Sequence, residues 1–225
     1  MNELALLQSE IVACERCPRL REYCREVAIV KRRAYRDQEY WGLPVPSFGD
    51  PRARVLILGL APGAHGANRT GRMFTGDKSG EFLYRALYET GFANQPTSTS
   101  REDGLTLTGA YISASAHCAP PDNKPSREEL LNCRPYLERE LQLLKNLRVV
   151  VALGRIAFDT YLSIIHERRK FGHNIVHHLT PALISSYHPS QQNTSTGKLT
   201  AAMLREVFEQ ARAHCGAGWQ PAADW

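Results

Sequence analysis

Val55-Leu-Ile-Leu-Gly59 runs directly into Leu60-Ala-Pro-Gly-Ala-His-Gly-Ala-Asn-Arg-Thr-Gly-Arg-Met-Phe-Thr-Gly-Asp77, and this stretch decides the fold. Val55 to Leu58 is a short apolar run of strand length. The glycines and proline after it stop the strand, and a helix-like stretch follows from about Gly80 to Thr90. The same alternation recurs downstream. Ala110 to Ala114 reads as a second strand. Ser126 with Glu129 has the form of a capping box, opening a helix whose leucines at 130, 131, 137, 141 and 144 carry a stripe perturbed by Pro135. Val149 to Leu153 is a third strand, Gly154 to Ile165 a helix, Leu183 to Tyr187 a fourth strand, and about Leu199 to Ala213 the last helix. Strands alternating with helices imply an α/β three-layer sandwich around a central, mostly parallel four-stranded sheet. Its functional loops should lie at the carboxyl ends of the strands.

Upstream, Glu3 to Val12 has Leu4, Leu7 and Ile11 at helical spacing and leads into Cys14-Glu-Arg-Cys17. Lys31 to Tyr40 is charged and without period, and Pro44, Pro46, Gly49 and Pro51 mark an irregular connection to the first strand. Phe92 to Thr106 is polar and turn-rich, and is expected to be an exposed loop. We expect one domain over residues 1–213 that includes the N-terminal cysteine segment, with residues 214–225 as a tail.

The chain has 225 residues, 43% hydrophobic and 23% charged, enough to bury one substantial core. No run of about 18 apolar residues occurs, and polar residues interrupt the N-terminal pattern, which excludes a membrane span and a signal peptide. A cytoplasmic location is expected, with cysteines kept reduced and a spaced set more apt to bind metal than to form disulfides. The net charge of +5 suits a polyanion but is also common in proteins that never meet one.

Three segments follow predicted strands: Gly59 to Asp77, Ser113 to Cys118, and His188-Pro-Ser-Gln-Gln-Asn-Thr-Ser-Thr-Gly-Lys-Leu-Thr200. The first and third closely resemble the two signature motifs of family five, the type b branch, of the uracil-DNA glycosylases, and Ala152-Leu-Gly-Arg-Ile-Ala-Phe158 is similar to a further segment of it. The resemblance spans about Cys14 to Thr200. It implies a base-excision enzyme that hydrolyses the N-glycosidic bond of uracil flipped out of DNA. Flipping costs roughly a few kcal/mol and demands a pocket that accepts a bare base.

On that reading His188 is the donor to the oxygen that gains charge as the base departs. The matching position for the Asp that activates water in many relatives is Ala61, and the nearest downstream carboxylate, Asp77, becomes the candidate for positioning water. Asp77 also reads as a helix N-cap, and both roles are compatible. Base binding falls to Gly59, Leu60, Ala61, Gly63, His65, Phe74 and Ala114. Phe74 serves as a stacking platform, its competing role being core packing, while His65 either contacts DNA or fixes its loop. Ala114 stands where relatives commonly carry an Asn that reads uracil, so a roomier pocket that also accepts hypoxanthine or xanthine is expected. DNA contacts are expected from Arg69, Arg72, Lys78, Gln191, Gln192, Asn193, Lys198 and Lys124. The cluster Lys31, Arg32, Arg33 and Arg36 is read as balanced by Asp37 and Glu39.

Cys14 with Cys17, and Cys118 with Cys133, form two pairs. By spacing alone they suit zinc or a four-iron cluster equally, or bind nothing. The resemblance implies a [4Fe–4S] cluster on these four cysteines, with Cys24 and Cys215 left over. The partner it implies is DNA carrying uracil or other deaminated bases, met by a monomer. Two rival readings stay open: a catalytically altered nucleic-acid-binding iron–sulfur protein of the same fold, and an electron-transfer protein.

Overall fold

The computed structural model describes residues 3–216. The tail expected at the C-terminus lies, from residue 217 onward, outside them. Four five-residue strands, β2 (Val55–Gly59), β3 (Ala110–Ala114), β4 (Val149–Leu153) and β6 (Ala182–Ser186), form the parallel centre of the sheet in the order β3-β2-β4-β6. Two short antiparallel strands add the edges: β1 (Phe48–Gly49) on β3 and β5 (Ile175–His177) on β6. The sheet therefore has six strands rather than the expected four.

All five positions of β2, β3 and β4 are buried, so these strands read as unbroken apolar runs rather than alternating ones. Each strand feeds two cores. Val55, Ile57, Ile112, Val149, Val151 and Ile184 pack on one face with α4 (Lys78–Glu89) and α8 (Ala201–Ala213). Leu56, Leu58, Val150, Ala152 and Leu183 pack on the other with α5 (Arg127–Leu143) and α6 (Arg155–Ile164). A residue shifted by one position would change cores, which pins the register.

The expected capping box closes at the start of α5: Glu129 N donates to Ser126 Oγ at 3.2 Å and Ser126 N donates to Glu129 Oε2 at 2.6 Å. Glu129 also pairs with Arg19 at 2.7 Å, joining α5 to α2 (Pro18–Val30). The leucine stripe is buried only in part: Leu137 and Leu144 face the core. Leu131 is half exposed, and the fully buried positions are Glu129, Tyr136, Leu137 and Glu140, because the helix rotates Glu140 inward to accept from Ser113 Oγ at 2.5 Å.

The segment 92–106 is a loop with an exposed tip, as expected, but it is anchored inward at both ends. Phe92 and Leu105 are buried, and the Phe92 ring meets Phe208 edge-on at 6.3 Å. This insertion is a second wall against the first motif. After β2 the chain places β3 on one side and β4 on the other, so the strand order reverses between β2 and β4, and the loops at their carboxyl ends border the resulting crevice.

Candidate active site

The glycine-rich loop after β2 is shaped around two side chains rather than left empty. An ideal Cβ on Gly59 would lie 2.9 Å from Phe74 Cζ, so the ring rests on the strand end. Phe74 itself adopts a left-handed φ of 52°, a strained backbone for an aromatic residue, of the kind that clusters at binding sites. A Cβ on Gly66 would collide with Asp77 Oδ2, and one on Gly63 would lie 2.9 Å from the same oxygen. Gly59 thus admits Phe74, and Gly63 and Gly66 admit the Asp77 carboxylate. This places Asp77 and Phe74 against the same backbone turn. Leu60 and Ala61 continue it, with Leu60 O accepting from Ala116 N at 3.0 Å.

Asp77 is both cap and pocket group. Its Oδ1 accepts from Gly80 N at 2.9 Å at the start of α4, and Oδ2 sits by Gly63 and Gly66. Burial pushes its carboxyl above the ordinary range, while backbone N–H bonds from Gly80 and Ser79 and the Arg69 charge pull the other way. A carboxylate raised in this way is a stronger base than an exposed one.

His188 follows β6 and lies across from Phe74, with ring centroids 6.0 Å apart and planes 31° from parallel. Burial holds its imidazole down at about 4, so at neutral pH the ring is uncharged. A neutral imidazole donates one N–H without bringing a buried cation. Gly154, at φ 97°, ends β4 and supports this histidine: a Cβ there would stand 3.2 Å from His188 Cβ. Ala114, the last residue of β3, is paired with Gly59 and buried in the cluster against which Phe74 packs.

His65 is positioned through its ring. Tyr40 Oη lies 3.0 Å from His65 Nδ1, and Arg32 N donates to the same phenol oxygen at 3.4 Å. The contact fixes the orientation of the His65 ring, with the direction of the Tyr40–His65 hydrogen bond set by the imidazole tautomer. Burial, with the charges of Arg32 and Arg69, lowers the His65 pKa and keeps it neutral.

Three of the expected DNA contacts are corrected. Arg69 is buried; its guanidinium donates to Gly76 O at 2.7 Å, His65 O at 2.8 Å and Gln38 Oε1, and stacks over Tyr35 at 4.0 Å. Arg72 is also buried, donating to Thr75 Oγ1 and Ser98 Oγ at 2.9 Å each and pairing with Asp103 at 2.7 Å. Asn193 Nδ2 donates to His188 O at 2.8 Å and so holds the third motif on itself. Arg69 and Arg72 are thereby turned inward, and Asn193 spends an amide hydrogen on its own motif.

The Arg72–Asp103 pair is instead the rivet between the first motif and the 92–106 insertion. Replacing Arg72 by Ala is expected to destabilise the protein by roughly 3–5 kcal/mol, because Asp103 is left buried without its cation; thermal or urea unfolding measures it. The Asp103 carboxyl is held at about 2: burial would raise it, but the Arg72 hydrogen bond and charge and the N–H groups of Leu105 and Thr99 outweigh that. A depressed native pKa contributes stability above the unfolded value of about 3.9 that is lost as pH falls toward 2.

Sequence reading missed what Arg69 does at longer range. By stacking on Tyr35 and bonding Gln38 it anchors a 3-10 turn (Arg33–Tyr35) beside the first motif. Arg32, Arg33 and Arg36 around that turn are exposed, and no ion pair to them forms among the described residues, so Asp37 and Glu39 do not neutralise them. Gln191 and Gln192 are exposed at the start of α7 (Gln191–Ser195), Lys198 lies 4.9 Å over the Tyr187 ring, and Lys78 is paired with Glu81. Lys124 is exposed on the far cysteine loop.

Cys14, Cys17, Cys118 and Cys133 line one cavity with Arg16, Leu20, Arg21, Pro44, Ala116, His117, Asn132 and Tyr136. His117 N donates to Cys133 Sγ at 3.3 Å and Asn132 Nδ2 to Cys17 Sγ at 3.8 Å, the kind of contact that favours thiolate. Among the described residues no three His, Cys, Asp or Glu side chains are placed as they stand to hold a metal ion. The fifth thiol, Cys24, packs beside Cys118.

The geometry agrees with what the chain is similar to. Residues 46–212 match the model of the family described as the uracil DNA glycosylase superfamily. The chain is 48% identical over 222 residues to the type-5 uracil-DNA glycosylase of Thermus thermophilus, covering 96% of this chain and 100% of that protein. It is 48% identical over 217 residues to the type-5 uracil-DNA glycosylase of Mycobacterium tuberculosis (93% and 81%), and 45% identical over 210 residues to that of Pyrobaculum aerophilum (92% of each). Phe74, Asp77 and His188 gathered after the carboxyl ends of the strands, joined to identity of that extent, leave one assignment: the chain belongs to the uracil-DNA glycosylase superfamily, in its type-5 branch.

Proposed function

We propose that the protein is a monofunctional base-excision glycosylase that hydrolyses the N-glycosidic bond of uracil turned out of DNA. The observation that carries this reading is the facing pair of Phe74 and His188 beside the buried Asp77. The flipped base stacks on Phe74, an interaction worth about 1–3 kcal/mol. As the glycosidic bond breaks, its electron pair stays with the base, and neutral His188 donates a hydrogen bond to the pyrimidine oxygen where the charge collects. Asp77 holds a water through Oδ2. As that water adds to the sugar carbon, Asp77 takes its proton and releases it to solvent. His65, its ring oriented by Tyr40, is assigned to the base or the adjoining phosphate.

The strand is held by Arg32, Arg33 and Arg36 on one side of the mouth, and by Gln191, Gln192 and Lys198 on the other. Replacing the three arginines by Gln should weaken binding to any sequence and flatten the dependence of log K on log salt by about 0.9 for each phosphate no longer neutralised. Fluorescence anisotropy between low and high salt checks it, and an unchanged slope would remove this segment from the interface.

Apolar Ala61 and Ala114 give the pocket no side-chain reader for the edge of uracil, which is why we extend its substrates to hypoxanthine and xanthine. A panel of duplexes carrying each lesion or cytosine, read as alkali-labile breaks, tests the range; excision of uracil alone would refute the extension.

We further propose that the four cysteines hold a [4Fe–4S] cluster. The donor set fits it: four thiols line one cavity, N–H groups reach two of their sulfurs, and buried Arg21 Nη2 and His117 Nε2 at its wall have no hydrogen-bond partner among the described residues. Bound there, the cluster would tie α2 to the 118–133 segment. No described helix is long and apolar enough to cross a membrane, and we place the protein in the cytoplasm as a monomer, since one chain carries the pocket, the basic turn and the thiols.

A further inference from the structure

Arg21 is an anomaly of the fold. It lies on the inward face of α2 with its side chain 1% exposed, among the largest fully buried side chains of the protein. Its neutralisation is poor. Nε is 3.4 Å from Glu15 Oε1, but that carboxylate is 55% exposed and also binds Arg25 at 2.5 Å. Nη1 donates to Gly42 O at 3.2 Å, and Nη2 has no partner among the described residues. A buried cation so incompletely paired costs several kcal/mol unless an anion stands beside it. What stands beside it is the cysteine cavity, whose wall it forms together with all four candidate ligands.

Resting on the assignment of a [4Fe–4S] cluster to these cysteines, we propose that Arg21 is the counter-charge for that cluster, favouring its more negative, reduced state and thereby setting its reduction potential. A cluster on four thiolates is a net anion, and adding an electron increases the charge that Arg21 offsets. The unpartnered Nη2 supplies the hydrogen bond, as donors toward cluster sulfurs raise reduction potentials. Arg21 is thus a positioning and electrostatic residue, remote from the pocket of His188.

The test is spectroelectrochemistry of the purified holoprotein, with chelator-driven loss of the cluster absorption as second readout, for wild type, Arg21→Gln and Arg21→Lys. In Arg21→Gln the ratio of reduced to oxidised cluster at fixed potential should fall at least tenfold, equivalent to a shift of about −59 mV for one electron, and chelation should be faster. Arg21→Lys, which keeps the charge, should recover most of the potential. An intact cluster with unchanged potential in Arg21→Gln overturns the proposal, as does an Arg21→Lys protein indistinguishable from Arg21→Gln. If Arg21→Gln takes up no iron, Arg21→Lys decides alone: a cluster near the wild-type potential supports the counter-charge, and loss of the cluster there as well overturns it. Wild-type protein without iron or sulfide would instead sink the cluster assignment itself.

Discussion

Replacing His188 by Ala lowers single-turnover excision of uracil by roughly 10²–10³-fold, the loss of about 2.7–4 kcal/mol expected when one preorganised donor to a developing anion is removed. Substrate affinity changes much less, since the donor acts on charge present only in the transition state. The histidine is suited to this because it is neutral: burial holds it at about 4, so its protonation state is constant from about pH 6 to 9. Any titration of activity in that window belongs to another group. A His188→Gln protein, which returns a donor of different reach, should recover part of the rate. Single-turnover kinetics across pH check both statements.

Asp77→Asn is the second large effect. Asn caps helices about as well as Asp, so the bond from Gly80 N survives and stability falls by only a few tenths of a kcal/mol. The rate nevertheless drops by about 10²–10⁴-fold, because an amide cannot accept the proton of water. The pH profile separates the roles. Burial raises the Asp77 pKa, so wild-type activity is present above that value and is lost as pH falls through it. In Asp77→Asn this acid limb disappears along with most of the rate. Equal losses of stability and activity would reduce Asp77 to a cap.

Much of this architecture was legible from sequence. Strands buried on both faces leave continuous apolar runs, and β2, β3, β4 and β6 lie within one residue of where those runs place them. The capping box announced α5. What stayed hidden has a physical reason in each case. The helix α2 escaped notice because Arg21 sits on its buried face and breaks the apolar period of Leu20, Cys24 and Val27, although Pro18 at its first turn was a usable start signal. The edge strands β1 and β5 are two and three residues long and carry no period. Arg69 and Arg72 in a polar loop read as surface cations. Only the fold shows that the 92–106 insertion and the Arg33–Tyr35 turn close over them.

The candidate site divides the same way. The motifs brought Phe74, Asp77 and His188 forward by residue type, and the fold sets them at one strand edge. Gly59, Gly63 and Gly66 accommodate Phe74 and Asp77, close contacts that no sequence pattern announces. Tyr40 had no signal at all: its value lies in a contact across 25 residues to His65.

That this pocket cleaves the glycosidic bond of uracil using His188 and Asp77 is tested most directly by incubating excess protein, purified with its metal content measured, with a duplex bearing one uracil. Free uracil and alkali-labile sites are followed over time. The wild type should release uracil stoichiometrically, with the rate reduced at least a hundredfold in both His188→Ala and Asp77→Asn while DNA binding persists. Intact strands with the wild type, or undiminished rates in the two variants, would contradict it.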